Sequence, residues 1–276
     1  GYDIPASGFM ALWAHQDNGG AVFDNLKVNW TVPGNPTMTK TSSYAQDFNA
    51  SIAGDEDWSH NATAVFEDGM VVGTNEHCYL DMTRRVRADK VYVELDMLAD
   101  RKGTVDNVAS YVGLRVTERD QFRATGPDGI WLAFHDNKIG LITGWPGTKM
   151  YVSEFSFASM RHVLIEDDTV NNVITVYIKE GGESQLVCRF VIQNEHDVKV
   201  YDNKGNQKIT HTLGHDLNRD GFICFWAPAG NMGKSAFDNI EIRWDEKVRA
   251  EYTPTDPETL QDLYSDTWVG MDDENR

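Results

Sequence analysis

Two acids on one strand-like segment are the first candidates for chemistry. In Lys90-Val91-Tyr92-Val93-Glu94-Leu95-Asp96-Met97 apolar and polar residues alternate, so Glu94 and Asp96 share one face of a β-strand. Two carboxylates about 5–5.5 Å apart are what retaining glycosidic cleavage requires, one as nucleophile and one as general acid. The same spacing also suits two acids that only face solvent. His135, Tyr111 and Arg115 are the residue types of a lyase site, if they converge on one concave face. No Gly-x-Ser-x-Gly elbow is present for a serine nucleophile.

Oxygen ligands form a second set. Asp216-Leu217-Asn218-Arg219-Asp220-Gly221 reads as the first half of a calcium loop, D-x-N-x-D-G, in which Asp216, Asn218 and Asp220 aim alternate oxygens at one cation. The second half fails, because the twelfth position is Ala227 rather than Glu. An Asx-rich turn into a strand fits equally. His211-x-x-x-His215 has the spacing of one helical face, but Gly214 and a strand-like setting argue against a metal pair. Cys78, Cys188 and Cys224 lack CxxC spacing and sit in apolar runs, as buried free thiols do.

Sugar recognition needs flat apolar rings beside hydrogen-bonding groups. Trp145, in the turn Gly144-Trp145-Pro146-Gly147, is the candidate most open to solvent. Trp131 and Tyr111 lie on strand-like segments and can point to either face. Trp58, Trp226 and Trp244 fit the core.

The elements that must carry these residues are strands. Period-2 runs recur over 109–116, 129–135, 138–143, 161–166, 173–178 and 185–192. Turn signals separate them, among them Glu67-Asp68-Gly69, Asp136-Asn137, Gly181-Gly182 and Asp202-Asn203-Lys204-Gly205. This pattern predicts an all-β sandwich or barrel. Only 257–264 reads as a short helix, opened by Pro257 with acids in its first turn. Hydrophobic residues at 41% exclude a disordered chain. Against 25 Lys+Arg stand 43 Asp+Glu, a net charge of −18, which argues against a nucleic-acid partner or an anionic membrane. No apolar run approaches the roughly 20 residues of a membrane-spanning helix.

An internal repeat organises the chain. Gly8-Phe9-Met10-Ala11-Leu12-Trp13-Ala14 matches Gly221-Phe222-Ile223-Cys224-Phe225-Trp226-Ala227. Phe23-Asp24-Asn25-Leu26-Lys27-Val28-Asn29-Trp30 matches Phe237-Asp238-Asn239-Ile240-Glu241-Ile242-Arg243-Trp244. A period near two hundred residues is the size of a whole sandwich domain rather than a solenoid unit. Residues 1–30 are therefore expected to be the last two strands of a preceding domain. Residues 31–41 are then a linker, 42–245 a complete sandwich, and 246–276 an acidic tail leading towards a further module.

In this order the elements resemble the concanavalin A-like (laminin G-like) jelly rolls of bacterial surface and glycan-processing proteins. The resemblance covers about residues 42–245. It rests on Tyr44-Ala45-Gln46-Asp47-Phe48-Asn49, Trp58, Phe66-Glu67-Asp68-Gly69, the 91–96 strand, and the closing pair from Gly221 to Trp226 and Phe237 to Ile240. The tail segment Asp266-Thr267-Trp268-Val269-Gly270-Met271-Asp272 looks like the entry to the catalytic module of some multidomain glycoside hydrolases. Related glycosidases carry Glu-x-Asp-x-x-Glu; here the third position is Ala99, so the pattern is broken. The resemblance also implies a structural calcium between first and last strands, with Asp238 and Asp47 at the matching positions and Asp24 matching Asp238 upstream. It further implies an exported protein, secreted, periplasmic or on the cell surface. The expected role is a non-catalytic carbohydrate-binding or accessory module, with glycan and neighbouring domains as partners. A glycoside hydrolase or polysaccharide lyase acting on the concave face, and a structural spacer, are the alternatives, since one fold hosts many functions.

Overall fold

The computed structural model describes residues 37–49, 57–60, 64–73, 78–101, 110–118, 128–144, 147–227 and 233–249. Eighteen strands run through them: β1 (Thr37–Gln46), β2 (Trp58–His60), β3 (Ala64–Glu67), β4 (Met70–Gly73), β5 (Tyr79–Met82), β6 (Val86–Arg87), β7 (Lys90–Arg101), β8 (Ser110–Val116), β9 (Ile130–His135), β10 (Lys138–Gly144), β11 (Gly147–Val152), β12 (Arg161–Asp168), β13 (Val173–Glu180), β14 (Glu183–Gln193), β15 (Asp197–Asp202), β16 (Gln207–Thr212), β17 (Asp220–Trp226) and β18 (Gly233–Arg249). Apart from Arg249 at the end of β18, they belong to one unit, Thr37–Val248. The expected helix over 257–264, the upstream strands of 1–30 and the tail lie outside the described residues.

The strands form the expected two-sheet antiparallel sandwich. The ten-stranded sheet runs β16-β15-β14-β13-β12-β7-β18-β4-β3, with β1 also paired to β18. The eight-stranded sheet runs β11-β10-β9-β8-β17-β5-β2, with β6 also paired to β17. The last two strands thus lie inside the two sheets rather than at their edges.

The sheets differ in how they use the period of two. In β7, Val91, Val93, Leu95, Met97 and Ala99 are buried while Tyr92, Glu94, Asp96 and Leu98 are half-exposed. Each Val, Leu or Met side chain so buried contributes about 1.5–3 kcal/mol. Every residue of β8 and of β9 is buried. Val112, Leu114, Leu132 and Phe134 face the inter-sheet core. Tyr111, Trp131, Ala133, Cys224 and Trp226 form a separate cluster on the other face of the same sheet. Gly113 makes room there: a Cβ at this position would stand 2.8 Å from the Trp131 ring. All three cysteines are buried, and none is in a disulfide.

An ion pair joins the sheets through the interior. Arg115 has φ +55° and is the extra residue where β8 slips past β17, between the pairs Phe222–Val116 and Cys224–Gly113. Its guanidinium donates to both carboxylate oxygens of Asp167 on β12, at 3.0 and 2.6 Å, and to Oδ1 of Asn172 at 3.0 Å. Both side chains are 3% exposed. Such a pair is costly to break from one side, because the survivor is left charged and buried. Asp167→Ala is expected to lower the unfolding free energy by about 3–5 kcal/mol, read as a drop in the urea midpoint. The double change Arg115→Met with Asp167→Leu should recover most of it. An unchanged midpoint in the single variant would show that the pair does not tie the sheets.

Candidate functional site

The paired acids Glu94 and Asp96 lie on the outward face of the larger sheet, at its middle. β12 and β18 flank β7 there, with His162 opposite Asp96 on one side and Glu241 opposite Glu94 on the other. His162 stands between the two carboxylates. Its Nδ1 is 2.6 Å from Asp96 Oδ1 and its Nε2 2.8 Å from Glu94 Oε1. Lys179 Nζ donates to Glu94 Oε1 at 2.5 Å, and Arg243 donates to Glu94 Oε2 at 3.2 Å. Asn239 donates from its amide to Asp96 Oδ2 at 2.8 Å. The histidine and its cationic neighbours were not singled out in the sequence, because they come from strands 66 to 149 residues away.

The electrostatics follow from these contacts. Partial burial alone would raise the Glu94 carboxyl, but hydrogen bonds from Lys179 and His162, and their charges, hold it below the ordinary range. Partial burial would lower His162, but the bonds to Glu94 and Asp96 outweigh it and raise the imidazole. A general acid at neutral pH needs a carboxyl pushed up, by an apolar pocket or a like charge. Glu94 is pushed the other way, and the arrangement is that of a clamped ion network.

A second cluster forms where β1 ends. Phe48 has φ +52° and buries its ring, 5.9 Å from that of Phe66. The turn it creates brings Asp47 and Asn49 beside the β3–β4 turn: a Cβ on Gly69, whose φ is +75°, would lie 2.7 Å from Asn49 Oδ1 and 3.7 Å from the Asp47 carbonyl oxygen. Across from it, Asn239 has φ +46° at the bulge of β18 against β7. The Asn239 main-chain N–H donates to Asp238 Oδ1 at 2.7 Å. The Phe-Asp-Asn motif thus buries Phe237, turns the strand at Asn239 and leaves Asp238 half-buried. Burial raises the Asp238 carboxyl, and the charges of Asp96 and Asp47 raise it further. The two residues that the resemblance pairs, Asp47 and Asp238, therefore come within reach of each other's field. A groove of about 400 Å³ runs beside them, lined by Gln46, Asp47, Asn239 and Glu241.

The remaining candidates are dispersed. Asp216 bonds to His196 Nδ1 at 3.1 Å, whereas Asp220 pairs with Arg85 at 3.3 Å, so the D-x-N-x-D segment serves separate partners. His211 is on β16, while His215 Nε2 meets the Gly129 carbonyl at 2.9 Å. Among the described residues no group of three or more His, Cys, Asp or Glu is placed as it would be around a metal ion. Tyr111 is 0% and Trp131 5% exposed. Tyr111 stacks on Trp226 with ring centres 4.3 Å apart, and Tyr79 lies on the same Trp226 at 6.0 Å. Arg115 leaves the Tyr111 face for Asp167, so the lyase-type trio does not assemble. Trp145 lies outside the described residues. No helix among them is long and apolar enough to cross a membrane.

The ion network predicts a pH window. The stabilisation from Glu94 is complete above its ordinary value of 4.5 and is lost as pH falls through its lowered folded value. That from His162 is complete below its ordinary value of 6.5 and is lost as pH rises through its raised folded value. Both are present in full between 4.5 and 6.5. Thermal melting across this range should therefore peak there, and His162→Gln should flatten the alkaline side. An unaltered alkaline slope in that variant would assign the dependence elsewhere.

No family model matches the chain, and no curated protein does. Among solved structures, it is similar to the acidic lectin of winged bean complexed with methyl-α-D-galactose, at 9% identity over 75% of this chain and 100% of that one, with a TM-score of 0.49. It is similar to arcelin-5, a lectin-like defence protein of Phaseolus vulgaris, at 8% identity over 75% and 99%, with a TM-score of 0.45. It is also similar to peanut lectin with a 9mer peptide, at 10% identity over 76% and 99%, with a TM-score of 0.45.

Proposed function

We propose that the sandwich is a non-catalytic carbohydrate-binding or accessory module of an exported, multidomain glycan-processing protein. The observation that carries this reading is a groove of about 400 Å³ at one edge of the sandwich, lined by residues of β10, β11 and β16. Thr148 and Thr210 offer hydroxyls there, lysines offer donors, and Met150 and Ile209 offer apolar surface. A concave site rich in hydrogen-bonding side chains, with a smaller apolar share from Met150 and Ile209, suits the hydroxyls of a sugar. Among the described residues that line the groove none is a carboxylate that could act as acid or base. Glu94 and Asp96 are tied to His162 on an outward face, which favours binding over cleavage. Trp145, between the two strands of the β10–β11 hairpin in the chain, stays the proposed aromatic platform. The multidomain setting is supported by the sequence repeat and by the tail motif at 266–272.

A glycan array probed with the full chain, with product analysis of each spot, tests this reading. Binding without turnover is the expected result. Cleavage of any glycan would replace it with the enzyme reading.

Calcium is the proposed structural ion, at Asp47 and Asp238. The site suits a hard cation: two carboxylates, the Asn49 amide oxygen and the Asp47 carbonyl are oxygen donors, and the carboxylate of Asp238 is disfavoured by its neighbours. The ion would neutralise these acids and tie β1 to β18. Because the folded state raises the Asp238 carboxyl, ion-free stability falls as pH rises above its ordinary value of 3.8. Calcium is expected to raise the melting temperature at neutral pH, and EDTA to reverse the rise. Asp238→Asn should abolish the calcium response without lowering the ion-free melting temperature. A calcium response that survives in that variant would place the ion elsewhere.

A further inference from the structure

The edge groove carries more than a site for sugar hydroxyls. Lys138, Lys149 and Lys208 line it, and no acid is among its described lining residues. The chain as a whole has 43 acids against 25 Lys+Arg, so its far field repels anions. Among the described lining residues of the groove the balance is reversed.

The fold builds this reversal from both sheets. Gly140 on β10 lets β11 approach closely: a Cβ there would stand 1.9 Å from the Lys149 carbonyl oxygen and 2.7 Å from the Met150 Cα. Lys149 then reaches across the seam, and its Nζ donates to the Thr210 carbonyl of β16 at 3.1 Å. Lys208 comes from β16 itself. Its Nζ pairs with Asp202 at 3.1 Å, and that carboxylate also accepts bonds from Asn206 and from the Lys204 main-chain N–H. Asp202 is therefore shared and offsets only part of the charge. His211, next to Thr210, is held below its ordinary value by burial first and then by the charge of Lys149.

We propose that this groove binds an anionic polysaccharide, its carboxylate or sulfate groups on Lys138, Lys149 and Lys208, and its sugar hydroxyls on Thr148 and Thr210. This rests on the carbohydrate-binding reading and names its ligand class. Lysines on β11 and β16 could serve only to keep these edge strands from pairing with other chains. That role requires charge along the open edges. It does not require a third lysine from β10 in the same groove, nor a contact spanning the seam.

The test is calorimetric titration of the full chain with three oligosaccharides: oligogalacturonate, a chondroitin sulfate fragment and neutral oligogalactose. The variants are Lys138→Gln/Lys149→Gln/Lys208→Gln and, as a control on β18, Lys234→Gln. Circular dichroism and melting show that each is folded, and Lys149→Gln alone is the fallback if the triple variant is not. Acidic sugar is expected to bind more tightly than neutral sugar and to weaken with salt. The triple variant should lose about tenfold or more in affinity, or about 1.4 kcal/mol, with Lys234→Gln unchanged. Preference between oligogalacturonate and the sulfated fragment tells which acid group is read. Equal binding of neutral sugar, or an undiminished triple variant, would overturn the anionic inference and leave the carbohydrate reading standing. Binding of inorganic sulfate without any sugar would reduce the groove to a simple anion site. No binding of any sugar would overturn both.

Discussion

The buried pair of Arg115 and Asp167 is the constraint on which the two sheets depend. A charge taken so deep must meet a partner with matching geometry. The bidentate fork on Asp167 supplies it, but only because the backbone at Arg115 adopts a left-handed conformation. That conformation inserts one residue into β8, shifts its register against β17, and turns the guanidinium inward where alternation would have turned it out. Val116 then takes the outward position, beside Phe222 and Trp226. One bulge thereby fixes the depth at which the sheets meet and the composition of the aromatic layer behind the smaller sheet. The buried hydroxyls of Ser110 and Ser235 add a second polar tie between β8 and β18.

The larger sheet solves a different problem. Its inward residues are aliphatic, and its outward centre is a lattice of opposite charges around His162. Acids facing outward from β7 would repel one another and those of β18 if left alone. His162, Lys179, Arg243 and Asn239 divide their lone pairs between them. The bulge at Asn239 is part of this arrangement, since it lets the amide reach Asp96 while Asp238 turns towards Asp47. The same outward face therefore holds both a neutralised acid pair and an acid pair with unrelieved repulsion, separated by one residue of β18.

The sandwich was legible in the sequence because strands with one wet face carry their period openly. The run from Lys90 to Met97 states both its conformation and its buried side. Trp58 and Trp244 also fill the inter-sheet core as their contexts suggest. The segments that misled are those apolar on both faces. In Ile130-Trp131-Leu132-Ala133-Phe134 nothing in the alternation says which side is which, so Trp131 was as plausible on a binding face as in a packed one. Arg115 was unreadable for another reason, since positive φ at an arginine follows from a tertiary ion pair and not from local preference. The nearness of Asp47 to Asp238 could be proposed only by resemblance. The basic groove was invisible, because its lysines come from three strands whose adjacency is decided at the sandwich edge.

The placement of the final strands sets the order in which the molecule can be made. β17 lies between β8 and β5, and β18 between β7 and β4, so each sheet is missing an interior member until the last quarter of the described chain has emerged from the ribosome. Earlier strands can form hairpins, such as β12–β13 and β14–β15, but neither sheet can close. Pairings this distant in sequence make folding slow, because the chain must surrender the entropy of long loops before the contacts reward it. A partly synthesised chain would hold two gaps, each flanked by open backbone edges and apolar side chains. Such a nascent protein has good reason to meet a chaperone before it meets a second copy of itself.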